Sequence, residues 1–78
     1  MKITLYGTSA CHLCEQASSM LMSLGNNYDF SVIEIDISES DALLAEYGMT
    51  IPVLLRADNQ EKLYWPFNVE DIRIFITA

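Results

Sequence analysis

The first 37 residues alternate between strand-like and helix-like patterns, and this order constrains the fold more than any other feature of the sequence. Residues 2–6 alternate in polarity and are rich in β-favouring side chains, whereas apolar positions between Leu13 and Leu24 follow helical spacing. Residues 30–37 contain valine and several isoleucines interrupted by polar residues, which is typical of a largely buried strand. A strand, helix and strand in about 30 residues predict a right-handed crossover between parallel strands.

The middle of the chain predicts a short helix followed by a hairpin. Ser38 and Asp41 have the spacing of a helix N-cap with a carboxylate three residues on, and Gly48 can end the helix that they begin. Residues 52–56 and 61–65 then have the composition of two strands, joined by a connection of hairpin length.

The last part of the chain predicts a third helix. Asn68 can cap this helix with Asp71 as the facing residue, and a buried stripe is formed by Ile72, Phe75 and Ile76. The predicted order is therefore βαβ followed by ββα. It indicates an α/β fold in which a four-stranded mixed sheet is flanked by three helices.

The length of the chain allows one compact domain and no more. The 78 residues suffice for a single core, so residues 1–78 are expected to form one domain with its active site on the surface. The hydrophobic content of 51%, with only three glycines and two prolines, argues against disorder.

The charge of the chain excludes several classes of partner. Eleven acidic and four basic residues give a net charge of −7, which repels nucleic-acid phosphates and anionic lipid surfaces. No apolar run approaches the roughly 20 residues that span a bilayer, and residues 1–6 do not resemble a signal peptide. We therefore expect a cytoplasmic protein that binds neither nucleic acid nor membranes.

The two cysteines, Cys11 and Cys14, point to redox or metal chemistry. A bridge between them closes too small a loop to stabilise the fold much. Cys11 lies at or just before the start of the predicted helix, where free amides and the helix dipole favour a thiolate. Cys14 lies one turn further in and can attack a mixed disulfide on Cys11. His12, when protonated, can add positive charge beside Cys11, or it can simply face solvent.

Two segments resemble the glutaredoxin family. Residues 5–14, Leu-Tyr-Gly-Thr-Ser-Ala-Cys-His-Leu-Cys, look like its first strand, loop and active-site helix, and residues 50–54, Thr-Ile-Pro-Val-Leu, resemble its cis-proline segment. The Cys-His-Leu-Cys motif combined with Tyr-Gly, Ile-Pro-Val-Leu and Trp-Pro-Phe is similar to short glutaredoxin-like bacterial proteins. This resemblance spans nearly the whole chain and implies a thioredoxin-like, glutaredoxin-type fold.

The resemblance implies a thiol-disulfide oxidoreductase and roles for further residues. Cys11 would be the nucleophile and Cys14 the resolving thiol, with His12 between them. A cis Pro52 would lie beside the disulfide, after Thr50 and Ile51, and would leave the Ile51 backbone free to pair with an extended substrate. The alternative is a trans proline that starts an edge strand.

The later aromatic residues are candidates for substrate contact. Trp65 and Phe67 would form an apolar lip for a protein or small-molecule disulfide, although at least one of them is expected in the core.

The chain departs from ordinary glutaredoxins where they hold glutathione. Thr8 stands where that family has a basic residue, and residues 65–68 replace a Gly-Gly and acidic stretch, with Pro66 removing an amide donor. These departures argue against glutathione binding. We expect a monomer without a tightly bound cofactor or metal, acting on a disulfide substrate with an electron donor that the sequence does not identify.

Two other functions are compatible with the same residues. Cys11 and Cys14 from two subunits would complete a four-thiolate zinc or iron-sulfur site. Alternatively, the chain would be a thioredoxin-fold interaction module whose cysteines do not turn over.

Overall fold

The computed structural model describes residues 1–78 and has the predicted order of elements. The elements are β1 (Lys2–Gly7), α1 (His12–Leu24), β2 (Ser31–Asp36), α2 (Asp41–Tyr47), β3 (Val53–Arg56), β4 (Lys62–Tyr64) and α3 (Val69–Thr77), with one 3-10 turn at Ile37–Glu39. The four strands form one mixed sheet, which confirms the predicted α/β architecture. None of the helices has the length and apolar character that crossing a membrane requires.

The sheet has the strand order β2-β1-β3-β4. β1 and β2 are parallel, as the crossover predicts, whereas β3 runs antiparallel to both β1 and β4. Tyr6 lies opposite Val53 and Val53 lies opposite Tyr64, while Gly7 is level with Asp36. The segments that follow β1, β2 and β4 and the one that precedes β3 therefore meet at one end of the sheet, which we call the site end.

The two faces of the sheet carry separate apolar clusters. One face, with Ile3, Leu5 and Leu54, packs against α1 and α3 in the main core. The other face carries a smaller cluster of Ile37, Tyr47 and Val53, in which the Tyr47 ring stacks on Tyr6 with centroids 4.6 Å apart. Both clusters reach the site end, so the loops there rest on packed side chains.

The prediction that residues 30–37 form a largely buried strand is wrong. β2 covers only residues 31–36, and its apolar residues Val32 and Ile33 are 38% and 47% exposed. The physical reason is its place at the sheet edge, where β1 pairs with one side and no strand pairs with the other. Ile37 is buried, but in the 3-10 turn after the strand.

The start of α2 also differs from the prediction. The N-cap is Ser40, whose hydroxyl accepts a hydrogen bond from the backbone N–H of Leu43 at 3.3 Å. Ser38 belongs to the preceding 3-10 turn, where its backbone N–H and its hydroxyl both donate to Asp36. Two caps therefore follow each other closely, and the sequence pattern merged them into one.

The predicted cap of α3 is present as a complete capping box. The Asn68 side chain accepts from the backbone N–H of Asp71 at 2.8 Å, and the Asp71 carboxylate accepts from the backbone N–H of Asn68 at 3.0 Å. Ile72 and Ile76 are buried against the core, while Phe75 is half-buried.

Arg56 ties the end of β3 to the last turn of α3. Its guanidinium donates to both carboxylate oxygens of Asp58, at 3.0 and 2.7 Å. It also donates to the backbone oxygens of Phe75 and Ala78, both at 2.8 Å. The hydrogen bonds from Arg56 lower the pKa of Asp58 below its ordinary value. The residue is only 6% exposed, so this buried cation serves the fold at the end of the sheet opposite the site end.

Replacing Asn68 with alanine should remove one half of the capping box. We expect the free energy of unfolding to fall by about 1 kcal/mol, the usual effect of losing an N-cap side chain. Urea denaturation measures this, and Asn68→Asp is the matched control because aspartate also caps well. Equal stability of the alanine and aspartate variants would show that the cap contributes nothing.

Candidate redox site

Cys11 and Cys14 form a disulfide at the start of α1, with their Cα atoms 5.2 Å apart. Cys11 is the N-cap and has extended backbone, so it lies immediately before the helix, as predicted. The backbone N–H of Cys14 donates to Cys11 Sγ at 3.1 Å. A sulfur therefore takes the part that a serine or aspartate oxygen plays at an ordinary N-cap. The start of the helix delivers a hydrogen-bond donor directly to the first cysteine.

The two sulfur-bearing residues differ in accessibility. Cys11 is half-buried, whereas only 7% of Cys14 is exposed. An incoming thiol or disulfide can therefore approach Cys11 more readily than Cys14. This inequality is what a nucleophile and its resolving partner require.

Gly7 holds Cys14 in its buried position, a role that the sequence analysis missed. A Cβ atom on Gly7 would lie 2.8 Å from Cys14 Sγ and 3.1 Å from Cys14 Cβ. Only a residue without a side chain allows this approach, since real Cβ atoms essentially never come so near. The available signal in the sequence is a glycine at the end of the strand before the cysteines, but the sequence does not tell which side chain packs against it.

His12 does not contact the disulfide through a hydrogen bond. Its side chain is 83% exposed, and its Nδ1 lies 3.4 Å from Oε2 of Glu15, which is 71% exposed. The side chain thus lies at the surface of the first turn of α1, beside the cysteines in sequence but paired with a carboxylate.

The segment 50–52 lies at the site end. The peptide bond between Ile51 and Pro52 is cis, and Pro52 is fully buried. Continuing the register between β1 and β3 by one position sets Pro52 level with Gly7, the residue that contacts Cys14. The topology therefore brings the proline segment and the disulfide to the same end of neighbouring strands.

The expectation of a free Ile51 backbone needs correction. The backbone N–H groups of Thr50 and Ile51 both donate to the carbonyl of Tyr47, at 2.9 and 3.2 Å, and the Thr50 hydroxyl donates to it at 3.3 Å. The reason is that α2 ends at Tyr47 and its last carbonyls need donors from the following residues. Of the two backbone groups of Ile51, only the carbonyl has no backbone partner and can accept from a substrate.

The expected aromatic lip is also reduced to one residue. Phe67 is 5% exposed and belongs to the main core, whereas Trp65 is half-buried and packs against that core. The two rings meet edge to face with centroids 4.9 Å apart. The expectation that at least one of these two aromatic residues lies in the core is confirmed, and of the two only Trp65 retains accessible surface.

A groove lies beside Cys14, between the start of α1 and β2. It consists of two adjoining cavities of about 240 and 280 Å³ that share Thr8, Ser9, Cys14 and Glu34 as lining residues. We call this pair of cavities the Cys14 groove. Asp36 lines the first cavity and Glu15 the second, and no lysine or arginine lines either. Hydrogen bonds from Ser38 lower the pKa of Asp36, so this carboxylate stays ionised near neutral pH.

The structure contains no cluster of three or more histidine, cysteine, aspartate or glutamate side chains that could hold a metal ion. A metal site built on Cys11 and Cys14 would need ligands from outside this chain.

Comparison with known proteins gives a family and a fold. The profile of a family described as "Glutaredoxin-like domain (DUF836)" matches residues 2–77. The chain is similar to the X-ray structure of protein XcR50 from X. campestris, with 33% identity, 97% of this chain and 96% of that chain covered, and a TM-score of 0.82. It is also similar to the solution structure of Ne2328 from Nitrosomonas europaea, with 27% identity, coverages of 95% and 88%, and a TM-score of 0.81.

A third solved structure supports the fold alone. Thioredoxin 1 from Thermosipho africanus is 20% identical, with 99% of this chain and 91% of that chain covered and a TM-score of 0.75. A search of curated proteins finds no match.

Replacing Gly7 with alanine should force Cys14 or the end of β1 to move. We expect the free energy of unfolding of the oxidised protein to fall by about 1 to 3 kcal/mol, the usual effect of overpacking. Gly25→Ala is the matched control, because a Cβ there meets no atom nearer than 3.4 Å. Urea denaturation compares the two variants, and a Gly7→Ala protein as stable as Gly25→Ala would contradict the role assigned to Gly7.

Proposed function

The chain belongs to the glutaredoxin-like domain family DUF836, and on that basis we propose that it is a thiol-disulfide oxidoreductase that uses Cys11 and Cys14 as a dithiol. The observation that carries this proposal is the position of the disulfide. Cys11 Sγ accepts a hydrogen bond from the first turn of a 13-residue helix, while Cys14 is nearly buried behind it. In this arrangement Cys11 would act as the nucleophile and Cys14 as the resolving thiol.

The first step forms a mixed disulfide. In the reduced protein, the Cys11 thiolate attacks one sulfur of a substrate disulfide and forms a new S–S bond. The other substrate sulfur leaves as a thiolate and takes up a proton from solvent. The donor at the helix start favours the thiolate of Cys11 before the attack.

The second step closes the bridge between the two cysteines. The Cys14 thiol gives its proton to solvent, and the resulting thiolate attacks Cys11 Sγ. The bond between Cys11 and the substrate breaks, and the second substrate thiolate leaves. The protein thus loses two electrons and the substrate disulfide gains them. A donor dithiol reverses both steps and restores the reduced protein.

The segment around Pro52 supplies a limited substrate contact. The Ile51 carbonyl can accept one hydrogen bond from the backbone of an extended substrate, while the Ile51 N–H is held by Tyr47. Trp65 offers apolar surface at the same end of the sheet. In this proposal His12 acts through its charge rather than by proton transfer, since its polar partner is Glu15.

The rest of the proposal concerns the setting of this reaction. We propose a cytoplasmic monomer without a tightly bound cofactor, which receives electrons from a dithiol donor. The groove beside Cys14 contains no lysine or arginine to bind the carboxylates of glutathione.

The two cysteine variants should fail in different ways. Cys11→Ser should abolish reduction of a disulfide substrate, because the attacking sulfur is gone. Cys14→Ser should form a mixed disulfide with the substrate that persists, because no thiol resolves it. Turnover assays and mass spectrometry of the intact protein measure these outcomes, and equal activity of both variants would exclude the mechanism.

The thiolate of Cys11 should form at lower pH than that of a free cysteine, whose pKa is about 8.5. In the Cys14→Ser variant, the rate of alkylation by iodoacetamide reports the thiolate fraction of Cys11. The same variant unfolded in urea is the control, because it has lost the helix start. We expect the midpoint of the rate to shift upward on unfolding, and equal midpoints would contradict a thiolate stabilised by α1.

A further inference from the structure

None of the lysine and arginine side chains of the protein lines the Cys14 groove. The sequence has four lysines and arginines. Three of them are paired with carboxylates, namely Arg56 with Asp58, Lys62 with Glu46 and Arg73 with Glu70. The fourth, Lys2, begins β1 at the end of the strand opposite Gly7. The lysines and arginines are therefore either paired with carboxylates or placed at the far end of β1.

The negative side chains at the Cys14 groove are not neutralised in the same way. Glu34 lines both cavities beside Cys14, is exposed, and has no ion-pair partner. Asp36 is held by hydrogen bonds from Ser38, and Glu15 has only His12 as a charged partner. The groove beside Cys14, the buried half of the disulfide, therefore presents carboxylates without compensating cations.

We propose that the Cys14 groove selects a positively charged disulfide partner, a polypeptide segment in which lysine or arginine flanks the reacting cysteine. This inference rests on the proposed function and names the substrate class of the same site. A groove lined by charges of one sign, with apolar walls such as Leu5 and Ile35, focuses its field on an approaching molecule. Cationic partners are attracted, and anionic disulfides, including glutathione disulfide with its excess of carboxylates, are repelled.

The exchange chemistry is unchanged by this selection. Two electrons pass from the Cys11 and Cys14 dithiol to the cationic disulfide, which leaves as two thiols. Charge complementarity acts on the encounter and on the mixed disulfide, so its effect appears in the second-order rate constant and depends on salt.

The test uses the reduced full-length protein and three peptide disulfides that differ only beside their cysteines, where they carry lysine, glutamine or glutamate. Quenched reactions analysed by mass spectrometry give the rate constants. Flanking charge also alters the intrinsic reactivity of a disulfide, so each rate is divided by that of dithiothreitol with the same peptide. We expect a normalised preference for lysine over glutamate of about tenfold at low ionic strength, falling to about twofold or less at about 0.5 M salt.

Two variants with the same change of charge locate the effect. Glu34→Gln should lower the normalised preference by about twofold to threefold, because Glu34 lines both cavities. Glu61→Gln is the matched control, since Glu61 is exposed and its backbone pairs with Arg56 at the end of the sheet opposite the site end. This variant should keep the preference of the unmodified protein.

The outcomes separate this inference from the proposed function. A normalised preference of one, with all three peptides reduced, would overturn the selection of cationic partners and leave the oxidoreductase function standing. An equal loss of preference in Glu34→Gln and Glu61→Gln would also overturn it, because net charge rather than the groove would then act. Failure to reduce any peptide that dithiothreitol reduces would overturn both proposals.

Discussion

The close approach of Cys14 to Gly7 determines the geometry of the whole site. Because Gly7 has no side chain, the first turn of α1 can settle against the end of β1 and bury the second sulfur. The first sulfur then remains at the rim, where it caps the helix and accepts the N–H of Cys14. The absence of a Cβ atom at Gly7 is thus linked to the unequal exposure of Cys11 and Cys14. That inequality underlies the proposed division of roles.

The remaining structure keeps the two ends of the sheet distinct. At the end opposite the site, the buried Arg56 side chain donates to Asp58 and to the backbone of the last turn of α3. Its hydrogen bonds therefore stabilise the fold and do not contribute to the site. At the site end, the loops after β1, β2 and β4 and the loop before β3 converge. The charges differ between the two ends in a corresponding way, because Glu34 and Asp36 line the groove at the site end and no lysine or arginine lines it with them.

The sequence predicted what depends on local pattern and missed what depends on tertiary position. The order of elements and the capping box of Asn68 and Asp71 were predictable because each signal lies within a few residues. The exposure of β2 was not, since apolar composition does not tell which strand becomes an edge. Similarly, the N–H of Ile51 is occupied because of where α2 happens to end, and the role of Gly7 depends on a contact with another element.

The acidic residues around the site disfavour the proposed Cys11 thiolate less strongly than the net charge of the chain, −7, suggests. A carboxylate near a thiolate disfavours it, but charges exposed to water interact by about 1 kcal/mol or less. The carboxylates of Glu15 and Glu34 belong to exposed residues. By contrast, the N–H of Cys14 lies 3.1 Å from Cys11 Sγ in the disulfide form, and the same donor would contribute about 1.5 to 3 kcal/mol to a Cys11 thiolate, as hydrogen bonds to charged groups do. In the proposed mechanism the direct donor therefore outweighs each screened carboxylate, and the negative groove would act on the choice of partner rather than on the reactivity of the sulfur.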